Sequence, residues 1–431
     1  MLRERPLRAT VADRMTLLVG TLLNPSLEGA RVTSPGYVSF DPTIGTIRDI
    51  GPWPAARPVA RESDYRDCLL VPGFVDVHCH VPQHPIAGLG RGELLPWLKD
   101  YVAPAEAAFS DPMVAERVSR DFFSAHVRAG TTTFVAYGNN DAGVLDVVFR
   151  QAIAQGVRLA AGQAIMEYGF NGEIIRTREQ IVSECKALIA RWHRPPESYY
   201  VLTPRFALSC SKAVLHEVGR LYRETGVYLQ THLAENRAEI AEVRRRFPEQ
   251  PHYTGVYGAC GLLGPRTVLA HCIHLNETEL ALLQDTGSRI AHCPSANRFL
   301  GSGIMPLKRY LEKGLIVGLG TDIGAGYFTS MLDEAREALE QSKQRKLLSG
   351  RDEAVSADTV FYLATLGGAK VLGLEQRIGS LAVGKDADLV VIRRPERVTQ
   401  QDLAAALVYT CRCVNKVYGR GRLLYDGQDT L

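Results

Sequence analysis

Val71-Pro72-Gly73-Phe74-Val75-Asp76-Val77-His78-Cys79-His80 is an apolar run that stops at two imidazoles one residue apart. Alternate side chains of a strand share a face, so His78 and His80 point the same way at the carboxyl end of the run. Ring nitrogens placed like this suit a divalent metal, and in a chain read as intracellular they mark a candidate metalloenzyme. Taken alone, such a pair is more often two polar residues on a strand surface or across strands than a ligand pair. The surrounding sequence decides between these readings.

Outward from this run, other short β-branched stretches alternate with amphipathic helical ones, the pattern of a parallel sheet with crossover helices. They fall at residues 73–80, 131–136, 158–166, 199–206, 227–232, 267–271, 289–293 and 315–322. Eight such strands close a (β/α)8 barrel. The ends of the chain have a different texture. Tyr37-Val38-Ser39-Phe40, Thr46 to Ile50, Leu389 to Ile392 and Val414 to Tyr418 are short strand-like runs bounded by Gly, Asp and Pro. The expected fold is therefore α/β: a TIM-like barrel over residues 71–374, with a small discontinuous β-sandwich built from residues 1–70 and 375–431. Residues 81–110, rich in Gly, Pro and Leu, follow the first strand and are expected to cover the mouth as a lid. Residues 211–225 open on a capping Ser and belong to the outer helical ring.

Composition narrows the function classes. With 50 basic and 47 acidic residues the chain is nearly balanced, which gives no electrostatic case for nucleic acid or membrane binding and leaves a small molecule as the expected partner. Nine cysteines without a dense spacing pattern fit reduced thiols better than a disulfide framework. Residues 1–6 are charged and the apolar run at 17–20 is too short for a signal or a span, so a cytoplasmic protein is expected. Arg244-Arg245-Arg246 reads as a solvated helix face.

The ionisable residues then fall into place. His78, His80, His232, His271 and Asp322 all end predicted strands, and in a barrel those ends form the single rim where active sites sit. Five metal-binding residue types on four strand ends make the strand-surface reading of His78 and His80 hard to sustain. In Gln230-Thr231-His232-Leu233-Ala234-Glu235 a carboxylate follows the histidine by three residues, near the site without having to bind an ion. The helical His-Glu-X-X-His signature is absent, and so is Pro-Cys-X-X-Cys.

These residues, with Gly320-Thr321-Asp322 and Gly384-Lys385-Asp386-Ala387-Asp388-Leu389, resemble the amidohydrolase superfamily over nearly the whole chain. Within it the similarity is to the guanine-deaminating aminohydrolases. It is carried by Pro82-Gln83, Trp97-Leu98-Lys99-Asp100-Tyr101, Pro104-Ala105-Glu106, Thr203 to Cys210, Ala291-His292-Cys293-Pro294 and Phe299 to Gly303. The resemblance implies one zinc ion, with iron as the alternative, bound by His78, His80, His232 and Asp322. It implies catalytic roles for Glu235, His271 and Asp322, a purine held by Gln83, Arg205 and Phe206, and a homodimer. Three imidazoles and a carboxylate leave room for a water whose pKa the ion lowers. No lysine lies in 199–206 to carry the carbamate of two-metal members, so a single ion is expected.

Each assignment has a plainer counterpart. Arg205 reads otherwise as a strand-end salt bridge, Gln83 as a loop residue without a role, and His84, His274 and His292 as supporting residues. Tyr137-Gly138-Asn139-Asn140-Asp141 replaces a stretch that usually contains a His, and Met166-Glu167 alters a Met-Asp pair. Both loops end barrel strands and are expected near the substrate, which keeps open 8-oxoguanine, a pterin or a triazine as substrate, and beyond these a non-catalytic scaffold.

Overall fold

The computed structural model describes residues 15–54, 62–351, 354–411 and 413–427, so the charged residues 1–6 lie outside the described ones. Eight parallel strands follow one another around a sheet in chain order: Phe74–His80, Thr131–Tyr137, Arg158–Gly162, Tyr199–Pro204, Tyr228–Leu233, Thr267–His271, Arg289–His292 and Val317–Leu319. All eight predicted runs are present, and most are buried along their whole length, as a sheet covered on both faces requires. Inside, Val75, Val77, Val135, Ala160, Val201, Val268 and Ala291 pack on Val371, Leu372 and Ile378. The barrel is a filled core, not a pore.

Two strands are shorter than the sequence suggests, each for a local reason. The third stops at Gly162, where a Cβ would stand 1.9 Å from Val201 O, and pairing resumes at Ala164–Ile165. The eighth stops at Leu319 because Asp322 turns into the left-handed region at φ +47°. Instead of a ladder, specific hydrogen bonds close the seam between the eighth and first strands. Asp322 N–H donates to His78 O at 2.8 Å, and the buried Asp76 carboxylate accepts Thr321 N–H at 3.0 Å and Thr321 Oγ1–H at 2.6 Å.

The outer helices follow their caps. Lys212–Thr225 starts where Ser211 accepts Val214 N–H, ends at Gly226 with φ +64°, and buries Val214, Leu215, Val218 and Leu221 on one face. Residues 81–110 form short helical segments rather than a loop: Val81–Ile86, Leu94–Trp97, Leu98–Val102 and Ala103–Phe109. Leu94, Trp97 and Leu98 pack on Phe206, Leu300 and Ala325 over the mouth. No helix among the described residues is long and apolar enough to cross a membrane.

The two ends of the chain meet in one seven-stranded sheet, where Leu389–Arg393 runs antiparallel to Glu62–Pro72 and Thr16–Asn24 pairs parallel to the same strand. Phe40 and Tyr418 lie four strand intervals apart in that sheet, which is about 19 Å if it were flat. Their ring centroids are 5.3 Å apart. The sheet is therefore folded over on itself around Leu18, Val38, Phe40, Leu70, Leu389 and Val391, and the two layers expected of a sandwich are two arms of one sheet. Only Gly73 separates Glu62–Pro72 from the first barrel strand. Buried Arg158 joins the two parts, donating to Asp386 Oδ2 and Asp388 Oδ2 at 2.7 Å each.

Candidate active site

At the carboxyl rim the barrel brings together the histidines and the aspartate that end its strands. His78 Nε2 and His80 Nε2 each lie 3.2 Å from Asp322 Oδ1, and His80 Nε2 lies 3.2 Å from His232 Nε2. One donor atom from each of His78, His232, His271 and Asp322 falls within 4.8 Å of the others. The cluster thus contains five groups, one more than a tetrahedral ion takes. His271 Nε2 faces Glu235 Oε2 at 3.5 Å and Asp322 Oδ2 at 3.8 Å, which sets it toward the carboxylates.

Unusual backbone turns these side chains inward. Among the described residues, five non-glycine positions have positive φ, and Ala234, His271, Cys272 and Asp322 are four of them. Such conformations cost roughly 1–3 kcal/mol each and persist only where neighbours hold them. Cys272 N–H donates to Leu233 O at 2.9 Å, tying the sixth-strand turn to the fifth. Glu239 caps the turn after His232, its Oε2 accepting Glu235 N–H at 3.0 Å and Asn236 N–H at 3.1 Å.

The imidazoles present free ring nitrogens to the cluster. His232 Nδ1–H donates to Arg205 O at 2.6 Å and His271 Nδ1–H to Asn297 Oδ1 at 2.8 Å, which leaves Nε2 of each as a bare lone pair aimed at the cluster. Burial lowers His80 to about 3, and burial together with the neighbouring imidazoles holds His232 well below its ordinary range, so both are neutral at pH 7. Burial opposes ionisation of Asp322, but His78 and His80 outweigh it and hold the carboxyl well below its usual range. The Nε2 atoms of His78 and His271 are buried and make no hydrogen bond, although His78 is close to Asp322. Buried nitrogens that crowd a carboxylate without bonding to it face a common point rather than one another, and neutral imidazole with carboxylate is the donor set of a first-row ion.

Above the cluster lies a cavity lined by Gln83, Arg205, Phe206, Glu235 and His271 and by Leu94, Trp97 and Leu98 of the lid. Burial, then the charge of Asp322, raises the Glu235 carboxyl to about 8, against a hydrogen bond of 3.1 Å from Ser302 Oγ–H. Arg205 Nη1 donates to Glu106 Oε1 at 2.8 Å and Oε2 at 2.9 Å, and Gln83 Nε2 donates to Glu106 Oε1 at 3.1 Å. Arg205 is thus both a salt bridge and a wall of the cavity. Phe206 joins the lid core.

Three groups have no role in the sequence reading. Glu106 lies within a quoted run but meets Arg205 only through the fold, Asn297 orients His271, and Ser302 holds Glu235. Of the two altered stretches, Asn139 and Glu167, contrary to expectation, do not line the cavity, whereas Tyr137 packs its ring on His80 and His78, with centroids 4.5 and 5.1 Å apart. Asn139 Nδ2 donates to Glu106 O at 3.0 Å and Ser110 Oγ at 2.9 Å, bracing the lid, and Glu167 Oε2 accepts Ser211 N–H at 2.7 Å at the start of a helix. His84, His274 and His292 are not in the cluster, and His274 bonds Ser302 O. Arg246 of the expected solvated face instead donates to Leu208 O at 2.6 Å.

Comparison with known proteins agrees with this geometry. The model of the family described as "Amidohydrolase family" matches residues 69–424. The guanine deaminase of Escherichia coli (strain K12) is 38% identical over 379 residues, covering 85% of each chain. The crystal structure of guanine deaminase from C. acetobutylicum with bound guanine in the active site superposes with a TM-score of 0.89 at 28% identity, covering 95% of this chain and all of that one (100%). An adenosine deaminase from Xanthomonas campestris with bound zinc superposes with a TM-score of 0.83 at 25% identity, covering 95% of this chain and 92% of that one.

Proposed function

The chain belongs to the amidohydrolase family, and from that premise we propose that it is a zinc-dependent aminohydrolase converting guanine and water into xanthine and ammonia. Zinc fits the donor set of neutral imidazole nitrogens and one carboxylate, and the Xanthomonas campestris relative in fold is described with zinc bound. His78, His80, His232 and Asp322 would hold it. When bound, the ion supplies the positive charge that makes a water molecule acidic enough to attack near neutral pH.

The side chains of this protein do the rest. Asp322 Oδ2 takes a proton from the attacking water, and His271, fixed by Asn297, orients that water. Glu235, kept protonated by its buried setting, delivers a proton to the ring nitrogen beside the carbon under attack. Asp322 passes the water's first proton to the departing amine, which leaves as ammonia, and the hydroxyl proton of the adduct returns to Glu235 as the new carbonyl forms, so one water is consumed for each ammonia released. Gln83, Arg205 and Phe206 hold the base, and the apolar lid excludes bulk water. The observation that carries this reading is that Glu235 and Asp322 both lie within 3.8 Å of His271 Nε2, in a cavity that Arg205 and Gln83 also line.

The experiment is ammonia release from guanine, adenine, a pterin and melamine by wild type and by Glu235→Gln at equal zinc content. Guanine is expected to be the substrate, with Glu235→Gln slower by about 10²–10⁴. Near-normal turnover by that variant would remove Glu235 from the proton path. The pterin and triazine alternatives weaken because Asn139 and Glu167 turn to the lid and a helix cap. A cytoplasmic homodimer completes the proposal, and light scattering tests the dimer.

A further inference from the structure

The side of the cavity away from the metal cluster is ordered by Glu106, a residue without a place in the mechanism above. An amide's oxygen and nitrogen are told apart by their partners. A carboxylate only accepts hydrogen bonds, so Gln83 has to turn its NH2 toward Glu106, with Nε2 to Oε1 at 3.1 Å. Gln83 Oε1 then lies on the other side of the amide, beside Gly324, where a Cβ would stand 2.3 Å from it, and no protein donor among the described residues reaches it. The same carboxylate takes both of its Arg205 bonds from Nη1, and the guanidinium lies over the Phe170 ring at 4.9 Å. The Nε and Nη2 donors of Arg205 have no protein acceptor among the described residues. The backbone that carries this carboxylate is tied down in turn, because Asn139 Nδ2 donates to the Glu106 backbone carbonyl at 3.0 Å.

We infer that Glu106 is the positioning residue that sets base specificity: by fixing the amide of Gln83 it makes the pair Gln83 and Arg205 read one acceptor and one donor on the substrate edge. Gln83 offers an acceptor to a ring N–H and Arg205 offers a donor to a ring carbonyl. A lactam edge, N–H beside C=O, satisfies both. An amidine edge, a bare ring nitrogen beside NH2, opposes both, leaving a buried acceptor facing an acceptor and a donor facing a donor. The inference rests on the guanine reading of the same cavity and adds the reason why a 6-oxo purine is accepted and its 6-amino counterpart refused.

The test compares kcat/KM for guanine and 2,6-diaminopurine, which share the 2-amino group and differ in that edge, using zinc-loaded wild type, Glu106→Ala, Glu106→Gln and Glu106→Asp. Wild type is expected to prefer guanine strongly. Glu106→Ala and the isosteric Glu106→Gln, in which the Gln83 amide is free to turn over, should lose at least tenfold of that preference, mainly through KM. Glu106→Asp retains an acceptor-only group and should recover most of it. A preference unchanged in Glu106→Ala and Glu106→Gln, or equal loss on both substrates as a collapsed lid would give, overturns the inference alone. Absence of ammonia from guanine with the wild-type holoenzyme defeats the functional reading and this inference with it.

Discussion

Replacing Arg158 by methionine tests how the terminal sheet is held on the barrel, since the sequence division into residues 71–374 and the two ends is itself a proposal. Arg158 is 3% exposed, and its guanidinium bonds Asp386 and Asp388 at 2.7 Å and Thr133 Oγ1 at 3.0 Å. Methionine fills much of the same volume without charge. Asp386 keeps Arg377, 3.0 Å away, whereas Asp388 keeps only the backbone N–H of Arg420 at 2.7 Å. One buried carboxylate therefore loses its salt bridge and keeps only the more distant charge of Arg420, and breaking a buried pair from one side costs about 3–5 kcal/mol. Two fully orphaned carboxylates would cost more. The assay is urea unfolding, with hydrogen exchange read on Leu389–Arg393, which joins the two halves of the terminal sheet. The triple variant Arg158→Met, Asp386→Asn, Asp388→Asn removes the charges together and should regain most of the loss. A cost below about 1 kcal/mol for Arg158→Met would show that water reaches the carboxylates, and an equal cost for the triple variant would make the effect packing rather than charge.

Two further outcomes follow from buried histidines and from the cluster. Burial pushes His126 from 6.5 down to about 3, while its Nδ1–H donates to Phe122 O at 2.8 Å and its ring packs on Phe122. Because the folded pKa is the lower one, the stability this group contributes is present above pH 6.5 and lost as pH falls toward 3. Between pH 7 and pH 5 wild type should lose about 2 kcal/mol more than His126→Leu, and identical pH slopes in urea unfolding would contradict the burial argument. For the cluster, treatment with a chelator should abolish ammonia release and lower the melting temperature, and one equivalent of zinc should restore both. Linkage gives about 2.7 kcal/mol at a free ion concentration of about one hundred times Kd, so a melting temperature indifferent to chelation would mean that these nitrogens hold no ion.

The barrel was legible because its signal is local. Each strand is a mostly apolar run a few residues long, and each metal-ligand candidate except Asp322 is itself part of such a run or its last residue. The Glu106 contacts were hidden for the opposite reason. Glu106 lies 99 residues from Arg205 and meets it only when the lid folds across the first and fourth strand ends, so no spacing rule brings the two together. That one continuous sheet bends to supply both layers of the expected sandwich was not legible, because alternation along a strand reports which face is buried, not whether the sheet bends. The loops at Asn139 and Glu167 were placed near the substrate because they end barrel strands, yet what decides is the direction of a side chain after the strand ends. Asn139 turns to Ser110 and Glu167 to the N-terminus of Lys212–Thr225.

Asp322 marks where fold and site share the same bonds. The seam of the barrel lacks a ladder, and its closure rests on Asp322 N–H to His78 O and on Asp76 receiving Thr321. Those contacts set the left-handed backbone of Asp322, and with it the direction of the carboxylate that meets His78 and His80. A regular eighth strand continuing through residue 322 would complete the ladder and point that carboxylate along an ordinary strand alternation, away from the position it holds here. Gly320, whose Cβ would stand 2.7 Å from His78 Cβ, allows the close approach that replaces the ladder. The barrel therefore gives up hydrogen bonds at one seam, and the opening is filled by His78, His80 and Asp322 of the cluster. Burial raises the Asp76 carboxyl to about 7, a cost held down by the Thr321 and His78 donors. A residue with no contact to substrate thus carries strain for the site, because it fastens the strand end on which the site depends.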